Sequence, residues 1–340
     1  MRCFTRLIAL LCVSWAGLVA VDFHSGDKVR LVATHQDGVP VRDQPGATKY
    51  ERWPDAIEAL VVVDTGNWVQ IEVGGKKVWV VEPYLKAVDG TSTSQPTSTF
   101  NREYLYADAP TRTTYPNQWV VLTNVGYQSA YDESFKNPAW VAYHLSGVSQ
   151  FLVNPRPPGY PTDDRTTSKV DEADYPSGYD HGHLAPNNAI GLFFGDQGQD
   201  ETFFMSNMLP QKHGLNAGPW KTVETAEYTR WTGSGKQIWI IAGPVYTDTD
   251  NQPVNPTNRA PPKQVCIPVA CFKIVMAEDL TGKLQTMAFI MPQENAAGHK
   301  PAEFLFSIRT IEKRTGLNFF SSWPQALQDE IELKVADKLW

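Results

Sequence analysis

A stretch with almost no apolar side chains divides this chain of 340 residues. Residues 88–101 read VDGTSTSQPTSTFN, a run that is rich in serine and threonine and contains one proline. Such a composition is typical of a linker, because it offers too little apolar surface to form a packed core. The sequence therefore predicts two folded domains, at residues 24–87 and 103–340, joined by a linker at residues 88–102. Both are long enough to bury a core of their own.

The overall composition limits the function classes. The chain contains 42% hydrophobic and 20% charged residues, as expected for an ordinary soluble protein. Its net charge of -7 excludes tight binding of nucleic acid through bulk electrostatics, although the local field at a cleft can still attract phosphate. Eleven Trp and 25 Pro favour a fold rich in strands and loops over a helical bundle.

The first 20 residues have the pattern of a targeting segment. Arg2 and Arg6 precede a short apolar run, and the small residues Ala16 and Ala20 follow it. This arrangement is typical of a secretory signal peptide, and the run is too short to favour a membrane-spanning helix. The sequence therefore predicts a signal peptide at residues 1–20, a secreted or periplasmic protein, and no transmembrane segment.

Removal of that segment would leave two cysteines in the mature chain, Cys266 and Cys271. In an exported protein, a pair of cysteines at this spacing is expected to form a disulfide that closes a short loop. The alternative is two independent buried thiols.

The N-terminal domain consists of short runs that alternate apolar and polar residues and are separated by turn sequences such as Asp37-Gly38 and Gly74-Gly75. The runs predict strands at residues 29–32, 39–42, 59–63, 68–71 and 78–80. Five or six such strands in about sixty residues favour a small barrel. The segments VPVRDQPG, GNWVQI and WVV resemble a bacterial SH3-like domain. That resemblance implies a binding module for a cell-wall or peptide ligand.

The C-terminal domain mixes strand patterns with helical ones. Strands are predicted at residues 119–122, 126–131, 139–145, 237–242, 272–277 and 286–290. A helix is predicted at residues 300–316, with Gly316 as its stop. Because strands and helices do not alternate regularly, the pattern favours an α+β fold over a doubly wound α/β fold.

Residues 179–190, YDHGHLAPNNAI, concentrate polar groups in a turn. His181 and His183 flank Gly182, and Pro186 discourages a helix from running through the segment. The stretch therefore presents imidazoles to its surroundings. On the residues alone, either imidazole could be a catalytic base, or both could belong to a metal site.

A second polar cluster, SNMLPQKHGLNAGPWKTVE, occupies residues 206–224. The two clusters together resemble the DNA/RNA non-specific endonucleases of the ββα-metal type, a family that includes secreted bacterial nucleases and mitochondrial endonuclease G. That family is marked by Asp-Arg-Gly-His, then Ser-Asn-x-x-Pro-Gln, then Leu-Asn-x-x-x-Trp followed by Glu. The corresponding segments here are DHGH at Asp180–His183, SNMLPQ at 206–211, LNAGPW at 215–220, and Glu224. The resemblance implies a ββα-metal nuclease domain with a mixed or antiparallel sheet.

The resemblance also implies roles for individual residues. His183 would be the general base, a role that suits the pKa of an imidazole. Asn216 would hold a largely hydrated Mg²⁺, with Mn²⁺ as a possible substitute. Glu224, eight residues further along a predicted helix, would orient water near the ion. The alternatives are an N-cap role for Asn216 and an exposed helix acid at Glu224.

The remaining predicted site residues support this chemistry less directly. Asn207 is expected to organise the site or to contact phosphate, and Asp180 to shape the turn. His181 occupies the place of the family's Arg, which predicts weaker phosphate binding and a lower pH optimum than in relatives with Arg. Tyr228 stands where relatives often have another Arg, and Arg230 is a nearby substitute. Three cations in the proline-rich region before the first motif are interpreted as solvated loop charges, with a surface that phosphate approaches as the alternative: Arg156, Arg165 and Lys169.

The leading hypothesis is a metal-dependent endonuclease that contacts DNA and RNA through the phosphate backbone. Because backbone contacts carry no base information, little sequence specificity is expected. One alternative is a catalytically weakened nuclease-fold protein that acts as a wall- or nucleic-acid-binding module. Another is a zinc hydrolase that uses His181 and His183 as ligands.

Overall fold

The computed structural model describes residues 28–31, 39–44, 51–54, 57–64, 68–81, 85–87, 104–112, 119–147, 151–232, 237–251, 258–278 and 283–340. The predicted signal peptide and the predicted linker lie outside the described residues. Within the described part of the chain, no helix is both long and apolar enough to span a membrane.

The N-terminal region forms an antiparallel sheet with its own hydrophobic cluster. Its strands are β1 (Lys28–Leu31), β2 (Val39–Val41), β3 (Glu51–Trp53), β4 (Glu58–Asp64), β5 (Trp68–Val73), β6 (Lys76–Val81) and β7 (Leu85–Ala87). Five of them lie in the order β6-β5-β4-β1-β7, and β2 pairs with β3. Alternate side chains such as Val29, Leu31 and Ile71 form the cluster, as the sequence pattern predicted. The SH3-like barrel and its wall or peptide ligand remain predictions.

The C-terminal region is built on a seven-stranded sheet in the order β19-β18-β17-β14-β11-β10-β9. Its strands are β9 (Trp119–Asn124), β10 (Tyr127–Asp132), β11 (Asn137–Leu145), β14 (Ile238–Val245), β17 (Ala270–Glu278), β18 (Leu284–Pro292) and β19 (Leu305–Phe306). Every neighbouring pair is antiparallel. Shorter pairs join β8 (Thr111–Arg112) to β20 (Leu317–Asn318) and β15 (Arg259–Ala260) to β16 (Val265–Cys266). Mostly antiparallel sheets combined with helices agree with the predicted α+β class.

The interior strand β17 contributes side chains to both faces of this sheet. Phe272 and Ile274 belong to one hydrophobic cluster, whereas Cys271 and Val275 belong to another. This is the alternation that a strand imposes. The first cluster is covered by α4 (Ile308–Thr315) and α5 (Gln325–Glu332), and we call that side the back face. We call the opposite side the site face.

The predicted helix at residues 300–316 begins later than expected. A 3₁₀ turn at Pro301–Phe304 and strand β19 precede it, so α4 starts at Ile308. The Ser307 side chain accepts a hydrogen bond from the backbone N–H of Thr310 and fixes this start. The helix ends as predicted at Gly316, whose φ of +69° is the left-handed conformation that favours glycine.

The site face is covered by a hairpin and a long bent helix. Strand β12 (Asp180–His183) pairs with β13 (Met208–Gln211), and α1 (Asn187–Glu201) lies between them in sequence. The helical run that follows consists of α2 (His213–Leu215), a π-helical turn at Asn216–Trp220, α3 (Lys221–Ala226) and a second π-helical turn at Glu227–Trp231. It bends at Gly218, whose ψ is -120°. We call residues 213–231 the site helix.

The expected disulfide is wrong. Cys266 on β16 and Cys271 on β17 are both buried and free. The Cys271 thiol instead accepts a hydrogen bond of 3.4 Å from Nε2 of Gln211. Burial raises the pKa of Cys266 to about 11 and that of Cys271 to about 12, so little of the thiolate that forms disulfides is present. The alternative of two independent buried thiols is the one observed.

Candidate active site

A cleft of about 570 Å³ lies between the β12–β13 hairpin and the site helix. All of the predicted site residues except Asn207 line it, namely Asp180, His181, His183, Asn216 and Glu224. The hairpin supplies the acid and the imidazoles, whereas the site helix supplies the amide and the second carboxyl group. Residues that are distant in sequence therefore face one common space.

The hairpin register positions the two imidazoles. Gly182 lies opposite Leu209, and the Gln211 side chain packs against Gly182. A Cβ atom at position 182 would lie 2.2 Å from the Gln211 side chain, so only glycine fits between the two histidines. His181 and His183 are two residues apart on one strand, which places both on the same side of the hairpin.

His183 is buried but keeps one ring nitrogen without a protein partner. Its ring packs edge-on against Phe203 at 5.0 Å between ring centres. Nε2 is buried, and no described residue bonds to it. Burial lowers the pKa of His183 to about 3, and the positive charge of Arg156 adds to the effect. The imidazole is therefore neutral at neutral pH and can accept a proton.

Asn207 supports the turn after His183 from below. Its side-chain oxygen accepts a hydrogen bond from the backbone N–H of Ala185 at 2.9 Å. Its amide nitrogen donates to the backbone carbonyls of Ala185, at 3.0 Å, and Thr202, at 2.8 Å. Asn207 is completely buried, so direct contact with phosphate does not fit its position. The geometry favours the organising role.

Asp180, which was predicted to shape its own turn, also links the hairpin to the site helix across the cleft. One carboxylate oxygen accepts a hydrogen bond from Nδ2 of Asn216 at 3.0 Å, and the same oxygen lies 2.9 Å from Nδ1 of His213. The contact with Asn216 engages the nitrogen of that amide and leaves Oδ1 as its free ligand atom. Asn216 follows α2 with a helical backbone and begins the π-helical turn, so the alternative of an N-cap role does not fit its position.

Glu224 faces the cleft from the next part of the site helix. Its atom Oε1 is buried, and none of the described groups bonds to it. Burial raises the pKa of Glu224 to about 7; Lys273 opposes this shift and the neighbouring carboxylate of Glu227 reinforces it. The alternative of an exposed helix acid does not fit a residue with a buried carboxyl oxygen.

A fully buried ion pair lies beneath this helix. Lys273 Nζ is 2.8 Å from Oε1 of Glu227, and the Tyr143 hydroxyl donates to the other oxygen of Glu227 at 2.7 Å. Lys273 also lies 4.5 Å from the ring centre of Trp220, whose Nε1 donates to the backbone carbonyl of His183 at 3.1 Å. Sequence reasoning missed this network. Its signal was a lysine within the apolar strand ACFKIVMAE, which requires a buried partner.

His181 is an aromatic element of the cleft wall and carries no charge at neutral pH. Its ring is stacked between Tyr160, at 4.2 Å, and Tyr175, at 4.6 Å. Burial lowers its pKa from the ordinary value. His181 therefore does not supply the cation that Arg would provide at this place.

Two other cations line the cleft, Arg156 and Lys221. Arg156 was interpreted as a solvated loop charge, and the structure corrects this. Its guanidinium lies 5.9 Å from the ring centre of Phe203, the same ring that packs against His183. The alternative, that Arg156 belongs to a surface that phosphate approaches, fits its place in the cleft lining.

The other basic candidates are engaged elsewhere. Arg165 pairs with Asp163 at 2.7 Å, and Lys169 pairs with Asp164 at 2.9 Å. Arg230 does not line the cleft, and its guanidinium donates to the main-chain oxygen of Trp340 at 3.1 Å. The suggested substitution of Arg230 for the missing Arg is therefore not observed.

The donor atoms of the cleft can be tested against the metals considered. In the described part of the chain, no group of three or more His, Cys, Asp or Glu side chains could hold an ion, which does not suit zinc. The free amide oxygen of Asn216 and the unbonded carboxyl oxygen of Glu224 are hard donors. Such a sparse oxygen set fits Mg²⁺ or Mn²⁺ that keeps most of its hydration shell.

Comparison with known proteins gave consistent matches. Residues 109–326 match the family model described as DNA/RNA non-specific endonuclease. The mitochondrial Nuclease 1 of Schizosaccharomyces pombe is 28% identical over 230 residues, which cover 64% of this chain and 70% of that protein. The mitochondrial nuclease of Saccharomyces cerevisiae is 31% identical over 237 residues, covering 61% of this chain and 68% of that protein. Human mitochondrial nuclease EXOG is 30% identical over 212 residues, which cover 56% of this chain and 54% of that protein.

A solved structure shares the fold. A chain from the crystal structure of an EndoG/EndoGI complex aligns with a TM-score of 0.54 and 24% identity. The alignment covers 62% of this chain and 89% of that one.

These relatives contradict the prediction of a secreted or periplasmic protein. Their names place them in mitochondria, which points to a mitochondrial rather than a secreted location. The physical reason for the error is that residues 1–20 carry arginines and no acidic residue, a feature that mitochondrial transit peptides share with secretory signals.

Proposed function

Because the chain belongs to the DNA/RNA non-specific endonuclease family, we propose that this nuclease hydrolyses phosphodiester bonds of both DNA and RNA with little sequence preference. The proposal includes a dependence on Mg²⁺, with Mn²⁺ as a substitute. The observation that carries it is the position of His183 and Asn216 on facing walls of one cleft, each with a free atom suited to its role.

His183 acts as the general base. Nε2 accepts a proton from water as the water oxygen attacks phosphorus, and the bond from phosphorus to the 3′ oxygen breaks. The departing oxygen takes a proton from solvent, which leaves a 5′-phosphate and a 3′-hydroxyl. An anionic phosphate beside the ring stabilises the imidazolium and raises the low pKa of His183 toward the range of an efficient base.

Asn216 and Glu224 prepare the opposite wall. Asn216 would hold the divalent cation through Oδ1, and Asp180 fixes the orientation of the amide. When bound, that cation supplies positive charge that offsets the negative charge developing on the phosphoryl group and the leaving oxygen. Glu224 accepts a hydrogen bond from water in the cleft through Oε1.

Arg156 and Lys221 hold the substrate by its phosphates. Both line the cleft and neither depends on base identity, which agrees with weak sequence preference. His181, neutral between two tyrosines, shapes the wall and adds no charge.

The test is cleavage of supercoiled plasmid and of single-stranded RNA by the purified protein. We expect activity with Mg²⁺ or Mn²⁺ and loss in EDTA, with the His183→Ala variant as the control for contaminating nucleases. Activity that persists in EDTA, or in the variant, would refute the proposal. Restoration by Zn²⁺ but not by Mg²⁺ would instead support a zinc hydrolase.

A further inference from the structure

A second groove, of about 460 Å³, continues from the cleft along the site helix. The cleft and the groove share three lining residues, Ala217, Lys221 and Thr225. These three residues are spaced four apart on the site helix, so they form a ridge at which the cleft and the groove meet, and a strand can pass over this ridge from one to the other.

The groove has the charge and surface that suit a polynucleotide. Lys221 and Arg230 are its charged lining residues, and of the residues described, no acidic side chain lines it. This contrasts with the net charge of -7 of the whole chain. Of its apolar lining residues, Leu339 is partly exposed and can contact a sugar, whereas Val223 and Trp231 are buried and form the floor of the groove.

Both cations can reach a phosphate. Lys221 is exposed, and no described carboxylate pairs with it. Arg230 is also exposed and gives one of its five N–H donors to the main-chain oxygen of Trp340. That contact holds the guanidinium at the groove and leaves other donors available.

We propose that this groove holds a single strand of DNA or RNA on one side of the cleaved bond, with phosphates on Lys221 and Arg230. The inference rests on the proposed function, because the cleft must be the place of cleavage. Lys221 and Arg230 are nine residues apart on the site helix. A helix rises about 1.5 Å per residue, so their positions differ by roughly 13 Å along the helix axis, the length of about four stacked nucleotides.

The test uses oligonucleotides with one cleavable phosphodiester, in which every other linkage is a phosphorothioate that keeps its charge but resists cleavage. The strand is lengthened from one to eight nucleotides on one side of the cut, and separately on the other. For the unmodified protein, KM should fall as one side grows to about four nucleotides and then level off, while kcat stays constant.

Thr229 offers a sharp pair of variants. It is exposed, lines the groove and does not line the cleft. Thr229→Glu adds a negative charge, and Thr229→Gln adds the same volume without charge. On long substrates, Thr229→Glu should have a KM about fivefold higher than Thr229→Gln, and on the shortest substrates the two should agree. Arg230→Gln should lower the slope of log KM against log salt concentration by about the value of one phosphate contact. Lys334 is an exposed lysine outside the groove, so Lys334→Gln should leave this slope unchanged.

Equal KM values for the two Thr229 variants at every length would overturn the inference. So would a difference confined to duplex substrates, which would indicate a duplex-binding face. Failure of the proposed function looks different, because the unmodified protein would then cleave no substrate, including the shortest. Thermal unfolding of each variant shows that it is folded.

Discussion

The two faces of the seven-stranded sheet are covered in different ways. On the back face, Ile311 of α4 and Leu327 of α5 pack with Phe272 and Ile274 in one apolar cluster. On the site face, β17, the strand that carries Phe272 and Ile274, buries Lys273, which is paired with the carboxylate of Glu227 and the hydroxyl of Tyr143. The back face has ionic groups too, such as Arg309 of α4, which pairs with Glu332 of α5, but they do not line the cleft.

This difference separates stability from chemistry. Apolar burial on the back face contributes favourable free energy, whereas buried charge on the site face has a desolvation cost that its partners only offset. The site face also keeps a ring nitrogen of His183 and a carboxyl oxygen of Glu224 without bonds from the described residues. Changes on the back face should therefore alter the free energy of unfolding, and changes on the site face should chiefly alter turnover.

The largest effect is expected for His183→Ala. Loss of a general base should lower kcat by about 10²- to 10⁴-fold. The free energy of unfolding, measured in urea, should change little by comparison. A kcat within tenfold of that of the unmodified protein would show that His183 is not the general base.

Lys273→Met tests the buried ion pair on the site face, which is the expected exception to this division because its loss should lower stability. Removal of the lysine leaves the carboxylate of Glu227 uncompensated and should cost about 3–5 kcal/mol of unfolding free energy. The double variant Lys273→Met with Glu227→Gln should regain much of this loss, because glutamine is neutral and still accepts from Tyr143. If the double variant is no more stable than the single one, the charge is not the cause.

Ile311→Ala is the matched change on the back face. Ile311 is fully buried, and its truncation should lower the free energy of unfolding by about 2–5 kcal/mol. Assayed well below the melting temperature, kcat should remain unchanged. A drop in kcat with unaltered stability would show that the back face takes part in the chemistry.

Titration of Glu224 should make the free energy of unfolding depend on pH, which tests the burial of its carboxyl group on the site face. Burial raises its pKa from an ordinary value of 4.5 to about 7, so the folded protein binds this proton more tightly than the unfolded chain. In EDTA, the unmodified protein should lose stability relative to Glu224→Gln as the pH rises from 4.5 to 7, and the deficit should stay constant above pH 7. Allowing for partial exposure, the deficit should reach about 2 kcal/mol. A constant difference from pH 4.5 to 8 would mean that the carboxyl group is not buried as described.

The smallest effect is expected for His181→Arg. Because burial lowers the pKa of His181, the site lacks this positive charge at neutral pH. Arginine should lower KM by about fivefold, with a steeper salt dependence, since it adds about one phosphate contact. Unchanged KM and an unchanged pH profile would show that Arg156 already fills the role.

The sequence predicted the parts of the fold that have a local cause. Alternating residues predicted the strands, and Gly316 predicted the end of α4. The start of α4 was missed because it depends on a side-chain cap at Ser307, which a helical pattern does not reveal. The buried thiols were misread because the pairing argument assumed an exported protein.

The site was predictable to the extent that its residues lie in motifs. His183, Asn216 and Glu224 face one cleft, and their roles remain proposals. Arg156 could not be separated from the other two loop cations, because only the folding of an irregular loop brings it to the cleft. The partner of Asp180 lies 36 residues away, and no local pattern encodes such a contact.

The hydrogen bonds of Asn207 have an evolutionary consequence. All hydrogen bonds of its side chain end on main-chain atoms of Ala185 and Thr202, which any amino acid provides, except that proline at position 185 would lack the donating N–H. Replacements at those two positions can therefore accumulate without loosening the turn, as far as space permits. Asn207 itself has no such latitude, since no other side chain offers the same acceptor and paired donors at that length.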